Sequence, residues 1–156
     1  MVLGYILKIS EIQITDVVLD LACGSGYTTA VLSRLAKKVY GVDNNKLLLS
    51  QATTNLNLLN IDNAKFVFSH PRQGFKKQIK FDAILIFGGV EYISKKVINL
   101  LKNSGGRLIS VFYNLNTTGK IGVIKKIKGK TSKRYYFDSN TPILDEFKKN
   151  KKEFYF

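Results

Sequence analysis

Apolar residues change their spacing repeatedly along the chain, and the order of those changes predicts an alternation of helices and strands. Val2, Leu3, Ile6, Leu7 and Ile9 fall on one side of a short helix, and Thr15-Asp16 interrupts before the unbroken run Val17-Val18-Leu19. A run without polar alternation suits a strand buried on both faces, as in a parallel sheet. Residues 25 to 37 read as a helix that turns Ala30, Val31, Leu32 and Leu35 inward. A second strand, residues 38 to 42, ends at Asp43, and Asn44 or Asn45 can cap a helix over 46 to 59 by accepting a bond from a first-turn amide. Strands follow at 65 to 68 and 81 to 86, then a helix near 92 to 101 stopped by Asn103-Ser104-Gly105-Gly106, then a fifth strand at 107 to 112. Beyond that the helical period is gone. Residues 121 to 127 and 134 to 137 read as two strands joined through Lys128-Gly129-Lys130, an antiparallel hairpin that closes the sheet after five βα units.

A chain of 156 residues is about one domain long. The expected unit is a single domain over 1–156, with the leading helix in 1–13 and a hairpin and basic tail in 119–156. At that size folding buries roughly 70% of the unfolded surface, so neither a disulfide nor a metal is needed as a staple. Cys23 is the only cysteine, which excludes an internal disulfide and a cysteine-rich zinc cluster and suits a reducing compartment, the cytoplasm by default. Residues 1 to 8 carry neither a basic leader nor a small-residue cleavage site, and no apolar run approaches the ~18 residues that span a bilayer, so no membrane partner is expected.

The formal charge of +14 would suit a polyanion. The excess is mostly lysine, accompanied by abundant Asn, Ile, Phe and Tyr, a bias that an AT-rich genome imposes whatever the function. Phe66, Phe68 and Phe81 lie in strand-like runs where core packing accounts for them without base stacking, so nucleic acid is not the expected partner. Residues 119 to 156 hold eleven Lys or Arg against four Asp or Glu, half of the net +14. An electrostatic docking face and a solvated hairpin both fit that asymmetry.

The strongest chemical signal is Val17-Val18-Leu19-Asp20-Leu21-Ala22-Cys23-Gly24-Ser25-Gly26-Tyr27, a strand, a tight turn and a helix start. Gly24 and Gly26 let the backbone turn sharply and approach a ligand without a Cβ in the way, and the following helix offers free amides. The third glycine of a dinucleotide site would fall on Thr29, which argues against nicotinamide cofactors. Asp43, 17 positions after Gly26, can accept hydrogen bonds from both hydroxyls of a ribose. Cys23 has no Lys, Arg or His beside it in sequence to make it a nucleophile.

These features together resemble the protein-L-isoaspartate O-methyltransferase family, its divergent alphaproteobacterial-type members in particular. The matching stretches are Val17 to Tyr27, Val39-Tyr40-Gly41-Val42-Asp43, Phe81 to Glu91, Gly105-Gly106-Arg107-Leu108, and Tyr136-Phe137-Asp138 through Pro142-Ile143-Leu144. The resemblance implies an α/β class I methyltransferase fold: a Rossmann-like sandwich with a mostly parallel seven-stranded sheet and a C-terminal antiparallel hairpin. It implies S-adenosylmethionine as cofactor, held by Asp20, Ala22, Cys23, Gly24, Ser25, Gly26, Tyr27, Asp43, Asn44, His70 and Phe87, with Asp20 facing the amino group of the methionine part. It implies methyl transfer to a protein or peptide carboxylate, with Glu91 and Tyr92 joining Phe87 as candidates for lining the pocket, and names no catalytic residue. Family members carry a further N-terminal segment on the acceptor side, so self-association or pairing with a separately encoded fragment is expected of this chain.

Two departures touch the cofactor. Alanine stands at Ala22 where the family usually has glycine, and at positive φ it costs roughly 1 to 2 kcal/mol. An acid reading the adenine amino group would fall near Ser69-His70-Pro71, and His70 supplies no carboxylate, which weakens binding about ten- to a hundredfold. Two other readings stay open: a catalytically degenerate relative acting as a binding module, and a nucleic-acid methyltransferase. Against the second, Phe87-Gly88-Gly89-Val90 lacks the signature of amino-group base methyltransferases and no second cysteine offers the carbon-methylating route.

Overall fold

The computed structural model describes residues 1–114 and 117–150. Seven strands form one sheet: β1 Val17–Leu21, β2 Lys38–Asp43, β3 Ala64–Phe68, β4 Ala83–Val90, β5 Ser104–Phe112, β6 Gly119–Ile127 and β7 Lys130–Ser139. Their order is β3-β2-β1-β4-β5-β6-β7. The first five run parallel, β6 pairs antiparallel with β5 and β7 antiparallel with β6, so the sheet is mostly parallel and closes on an antiparallel hairpin, as in the class I methyltransferase fold. No helix of the described residues is long and apolar enough to cross a membrane.

The unbroken apolar runs are the central strands, and each feeds two cores at once. Leu19, Leu21, Ile84, Ile86 and Leu108 point to one face, where Phe75, Phe81, Val97 and Phe147 cover them. Val18, Ala83, Leu85, Ile109 and Val111 point to the other, under Ile6 of helix α1 (Val2–Ser10) and Leu32 of α2 (Tyr27–Ser33). Successive residues of a strand face opposite ways, so only a run with no polar gaps can supply both.

Several expectations change in detail. The helix read over 25 to 37 is regular only from Tyr27 to Ser33 and turns Thr29, Leu32 and Ser33 inward, while Leu35 is 41% exposed. It rotates this way because Thr29 bonds Asp20. Asn63 then closes its end, donating to the carbonyls of Ser33 and Ala36. Between Asn45 and Leu58 the reading holds: Asn45, not Asn44, caps α3 (Lys46–Leu58), its side chain accepting from the amides of Leu47 and Leu48.

The fourth strand starts at Ala83 and runs to Val90, past the expected end at residue 86, and the helix after it shrinks to α4, Lys95–Asn99. A strap explains both. The Gly89 amide donates to Pro142 O and Leu144 N to Gly89 O, so residues 142–144 extend the ladder beside β4. The amides of Glu91 and Tyr92 donate to Phe147 O, which keeps residues 91 and 92 out of a helix, and Ser94 caps what remains. Contact is close: a Cβ on Gly88 would stand 2.5 Å from the side chain of Leu144. The expected count of five βα units also falls, because β3 is followed only by the 3-10 turn Pro71–Gln73 and no described residue between β5 and β6 is helical. The expected stop at residues 103 to 106 is mostly strand, since β5 begins at Ser104 and bulges through Gly105. Phe81 is core, but Phe68 is 55% exposed at the sheet's first edge. The tail beyond residue 150 lies outside the described residues.

At the amino ends of the strands, Arg107 ties four segments together. Its guanidinium donates to Asp16 Oδ2 at 2.7 Å, to Glu11 O at 3.0 Å, to Asp82 O at 3.1 Å and to Ser10 O. Neighbouring Asp82 accepts from the Val17 amide at 2.8 Å and from Lys102 Nζ at 2.8 Å. Burial pushes the Asp82 carboxyl up, but the bonds from Lys102 and Val17 and the charges of Lys102 and Arg107 outweigh it and hold the group below its ordinary value.

At the opposite ends β1 leaves the sheet through a turn in which Ala22, Gly24 and Gly26 all take positive φ, at 59°, 56° and 86°. Two outcomes follow from these ends of the sheet. Arg107→Ala removes the cation that pairs with the buried Asp16 and the donor that ties Ser10 O and Glu11 O to the sheet, and urea unfolding should show a loss of about 3 kcal/mol. Ala22→Gly should raise stability by about 0.5 to 1 kcal/mol in the same assay, relief of the left-handed alanine exceeding the entropy that glycine adds to the unfolded chain.

Candidate functional site

The turn after β1 is built around a carboxylate. Asp20 has no exposed surface, and its Oδ2 accepts from Thr28 Oγ1 and Thr29 Oγ1, both at 2.7 Å. Its Oδ1 is buried without a hydrogen-bond partner among the described residues. Burial pushes its pKa up to about 6, opposed by the two threonine bonds and reinforced by the charge of Asp43. The sequence pattern marked Asp20 but not the two threonines, whose only signal was their place in the first turn of a helix that follows an acid.

Asp43 ends β2 on the same side of the sheet and clamps the loop. Its Oδ2 accepts from the Gly24 amide and its Oδ1 from the Asn45 amide, both at 2.9 Å. The Gly26 amide is also taken, donating to Cys23 O at 3.1 Å, and the Cys23 amide donates to Val42 O at 3.1 Å. The amides of Gly24 and Gly26 therefore close the turn itself. Gly24 has open space where a Cβ would be, whereas a Cβ on Gly26 would meet Ala52 and Phe66 at 2.9 Å. One glycine faces outward and the other is a packing contact. Burial pushes the Cys23 thiol up, with the charges of Asp20 and Asp43 adding to the effect, which favours its protonated form.

Other expected residues scatter around this centre. Ser25, Tyr27 and Asn44 are exposed beside the loop, Tyr27 at 67%. By register Ile86 lies next to Leu21, so Phe87 comes beside Ala22 where β1 gives way to the turn. His70 is exposed and occupied differently: its Nδ1 accepts from the Arg72 amide at 3.2 Å and caps the 3-10 turn. Glu91 and Tyr92 stand apart from Phe87. They line a cleft of about 210 Å³ with Phe112, Tyr113 and Lys133 beyond the carboxyl ends of β4 and β5. Exposed Leu47, Leu58 and Phe68 join Tyr27 as apolar groups on the elements that flank the loop, a feature that residue type alone did not reveal.

Comparison with known proteins agrees with this geometry. A protein-L-isoaspartate O-methyltransferase of Petrotoga mobilis is 26% identical over 149 residues, 94% of this chain and 69% of the relative. The enzyme of the same name from Parvibaculum lavamentivorans is 34% identical over 94 residues, 60% of this chain and 42% of the relative. A solved protein-L-isoaspartate O-methyltransferase superposes with a TM-score of 0.82 at 22% identity, covering 91% of this chain and 46% of that one. The chain thus spans from about two thirds to less than half of the length of these relatives. The family model for protein-L-isoaspartate(D-aspartate) O-methyltransferase matches residues 1–139, and with the loop, the acid and the strand order in agreement, the chain belongs to that family.

Proposed function

We propose that this chain binds S-adenosylmethionine on the β1 turn and serves methyl transfer to a protein carboxylate of the isoaspartyl kind. The observation that carries the reading is the unpartnered oxygen of Asp20. A buried carboxylate oxygen with no donor costs stability, and the natural remedy is a cationic ligand such as the ammonium of an amino acid. Asp43 supports the second contact. Each of its oxygens takes one backbone amide and keeps acceptor capacity for the hydroxyls of a ribose. Ala22, Cys23, Gly24, Ser25 and Gly26 form the wall between these two acids, with Cys23 as a small apolar surface. Tyr27, Asn44 and Phe87 border it. His70 is the weakest member of the set, since its Nδ1 is engaged by Arg72.

When bound, S-adenosylmethionine supplies a methyl group activated on a sulfonium. A carboxylate acceptor is already nucleophilic at neutral pH, so this chain's residues have no proton to remove. Their task is to fix two reactants in line, and orientation of that kind accounts for most of the rate in such a transfer. Exposed Tyr27, Leu47, Leu58 and Phe68 support an acceptor polypeptide, a second copy or a separately encoded fragment seated beside the loop.

Isothermal titration with S-adenosylhomocysteine tests the cofactor half of the reading. Micromolar binding is expected, weakened about ten- to a hundredfold in Asp43→Ala with the fold intact by circular dichroism. Absence of heat with the unaltered chain would overturn it, and methyl transfer to an isoaspartyl peptide tests the acceptor half.

Asp20 yields a pH signature. Because its pKa in the fold stands near 6, above the ordinary 3.8, the folded state holds the extra proton between those values and stability from this group falls as pH rises through about 6. Asp20→Asn should therefore match the parent near pH 4 and exceed it by on the order of 2 kcal/mol at pH 8, while losing affinity for the ligand. Equal urea midpoints at both pH values would contradict a buried, strained acid.

A further inference from the structure

The last hairpin leaves the sheet with an open edge. β7 pairs with β6 on one side and ends the strand order, so among the described residues its outer row of backbone N–H and C=O groups meets no further strand. Nine of its ten residues, Lys130 to Asp138, are exposed. A long exposed edge is a template for another chain, and proteins blunt such edges with charge. Here the charge has one sign. From residue 119 to 139 there are seven Lys or Arg and a single acid, Asp138. Asp138 pairs with Lys120 at 3.4 Å, and Lys126 turns inward to the carbonyls of Ile98 and Leu101 at 3.3 and 3.4 Å. Lys125, Lys128, Lys130, Lys133 and Arg134 have no salt-bridge partner among the described residues.

The aromatic groups on this edge decide what it can receive. Tyr135, Tyr136 and Phe137 are 40%, 42% and 46% exposed, but each already stacks within the chain. Lys133 Nζ lies 4.4 Å from the Phe112 ring centre and 5.8 Å from that of Tyr135. Arg134 lies 5.2 Å from the Tyr136 ring, and Phe137 packs on Tyr5 of α1 at 4.7 Å. The rings are engaged by cations or by another ring rather than left as open faces for bases. Lys133 and Arg134 are consecutive on a strand, so they present charge on its two opposite faces.

We propose that β7 is a docking edge for an extended acidic polypeptide, which joins the sheet as an eighth strand. Main-chain pairing would satisfy the open ladder, and carboxylates at successive positions of the guest would meet Lys133 on one face and Arg134 on the other. A second copy of this chain is disfavoured as the guest by like charge, since the same row of lysines and Arg134 would stand against itself. A nucleic-acid backbone has charge to match but no alternating donors and acceptors at the strand repeat.

Fluorescence anisotropy of a labelled peptide of repeated Glu-Glu-Thr-Thr, which carries carboxylates on both faces and is about ten residues long to match a strand, reads the proposal directly. The peptide should bind the full chain with an affinity that falls as salt rises. Methylating all of its backbone nitrogens, which removes the donors on both edges, should weaken binding about tenfold or more, as should Lys133→Glu with Arg134→Glu in the protein. Unchanged affinity of the N-methylated peptide would overturn strand addition without depending on any variant's folding. Tighter binding of a single-stranded RNA of matched length, or concentration-dependent dimers in sedimentation that the acidic peptide disperses, would overturn the choice of guest.

Discussion

A carboxylate buried where the first strand ends sets the terms for everything around it. Asp20 has no surface of its own, and hydroxyls from Thr28 and Thr29 serve only one of its oxygens. To bring those hydroxyls within reach, the chain must reverse within a few residues, which requires positive φ at positions 22, 24 and 26 and turns the next helix so that Thr29 faces in and Leu35 faces out. Asp43 then fixes the reversed segment from the neighbouring strand by holding the Gly24 amide. The strained loop, the skewed helix and the half-satisfied acid are one arrangement. At the other end of the sheet, Arg107 binds the close of the leading helix to the strands.

Much of this architecture could be read in the residues. Unbroken runs such as Val17-Val18-Leu19 announced strands buried on both faces, and Gly24, Gly26 and Asp43 announced the loop and its acid. These signals are local, because a strand between two cores and a tight turn impose their needs on adjacent positions. What escaped was decided over longer range. Tyr92 and Ile93 have the spacing of a helix, but Phe147, more than fifty residues on, takes the amides of Glu91 and Tyr92. Gly88 and Gly89 gave no hint of their role, which is to admit Leu144 and Ile143 against β4. Phe68 sits in a run like that of Phe81, yet one lies on an edge strand and the other in the core.

The site was less legible than the fold for a related reason. A sequence motif names positions near a ligand without saying what each already does. His70, a candidate contact by its position, also caps a 3-10 turn through its Nδ1. Of the two glycines, Gly24 leaves open space and Gly26 is wedged against Ala52 and Phe66. Thr28 and Thr29 carry no motif, yet their bonds to Asp20 lower its pKa against the burial that raises it.

The strap from Pro142 to Phe147 has a bearing on how the chain is made. Its residues leave the ribosome after all seven strands, yet they supply the partners for backbone groups at Gly89, Glu91 and Tyr92. Until then the carboxyl end of β4 stays wet and the groups beyond it unshaped. Phe147 of the same segment also closes the core over the central strands, so the sheet and the rim beyond β4 are completed together by residues that follow the last strand.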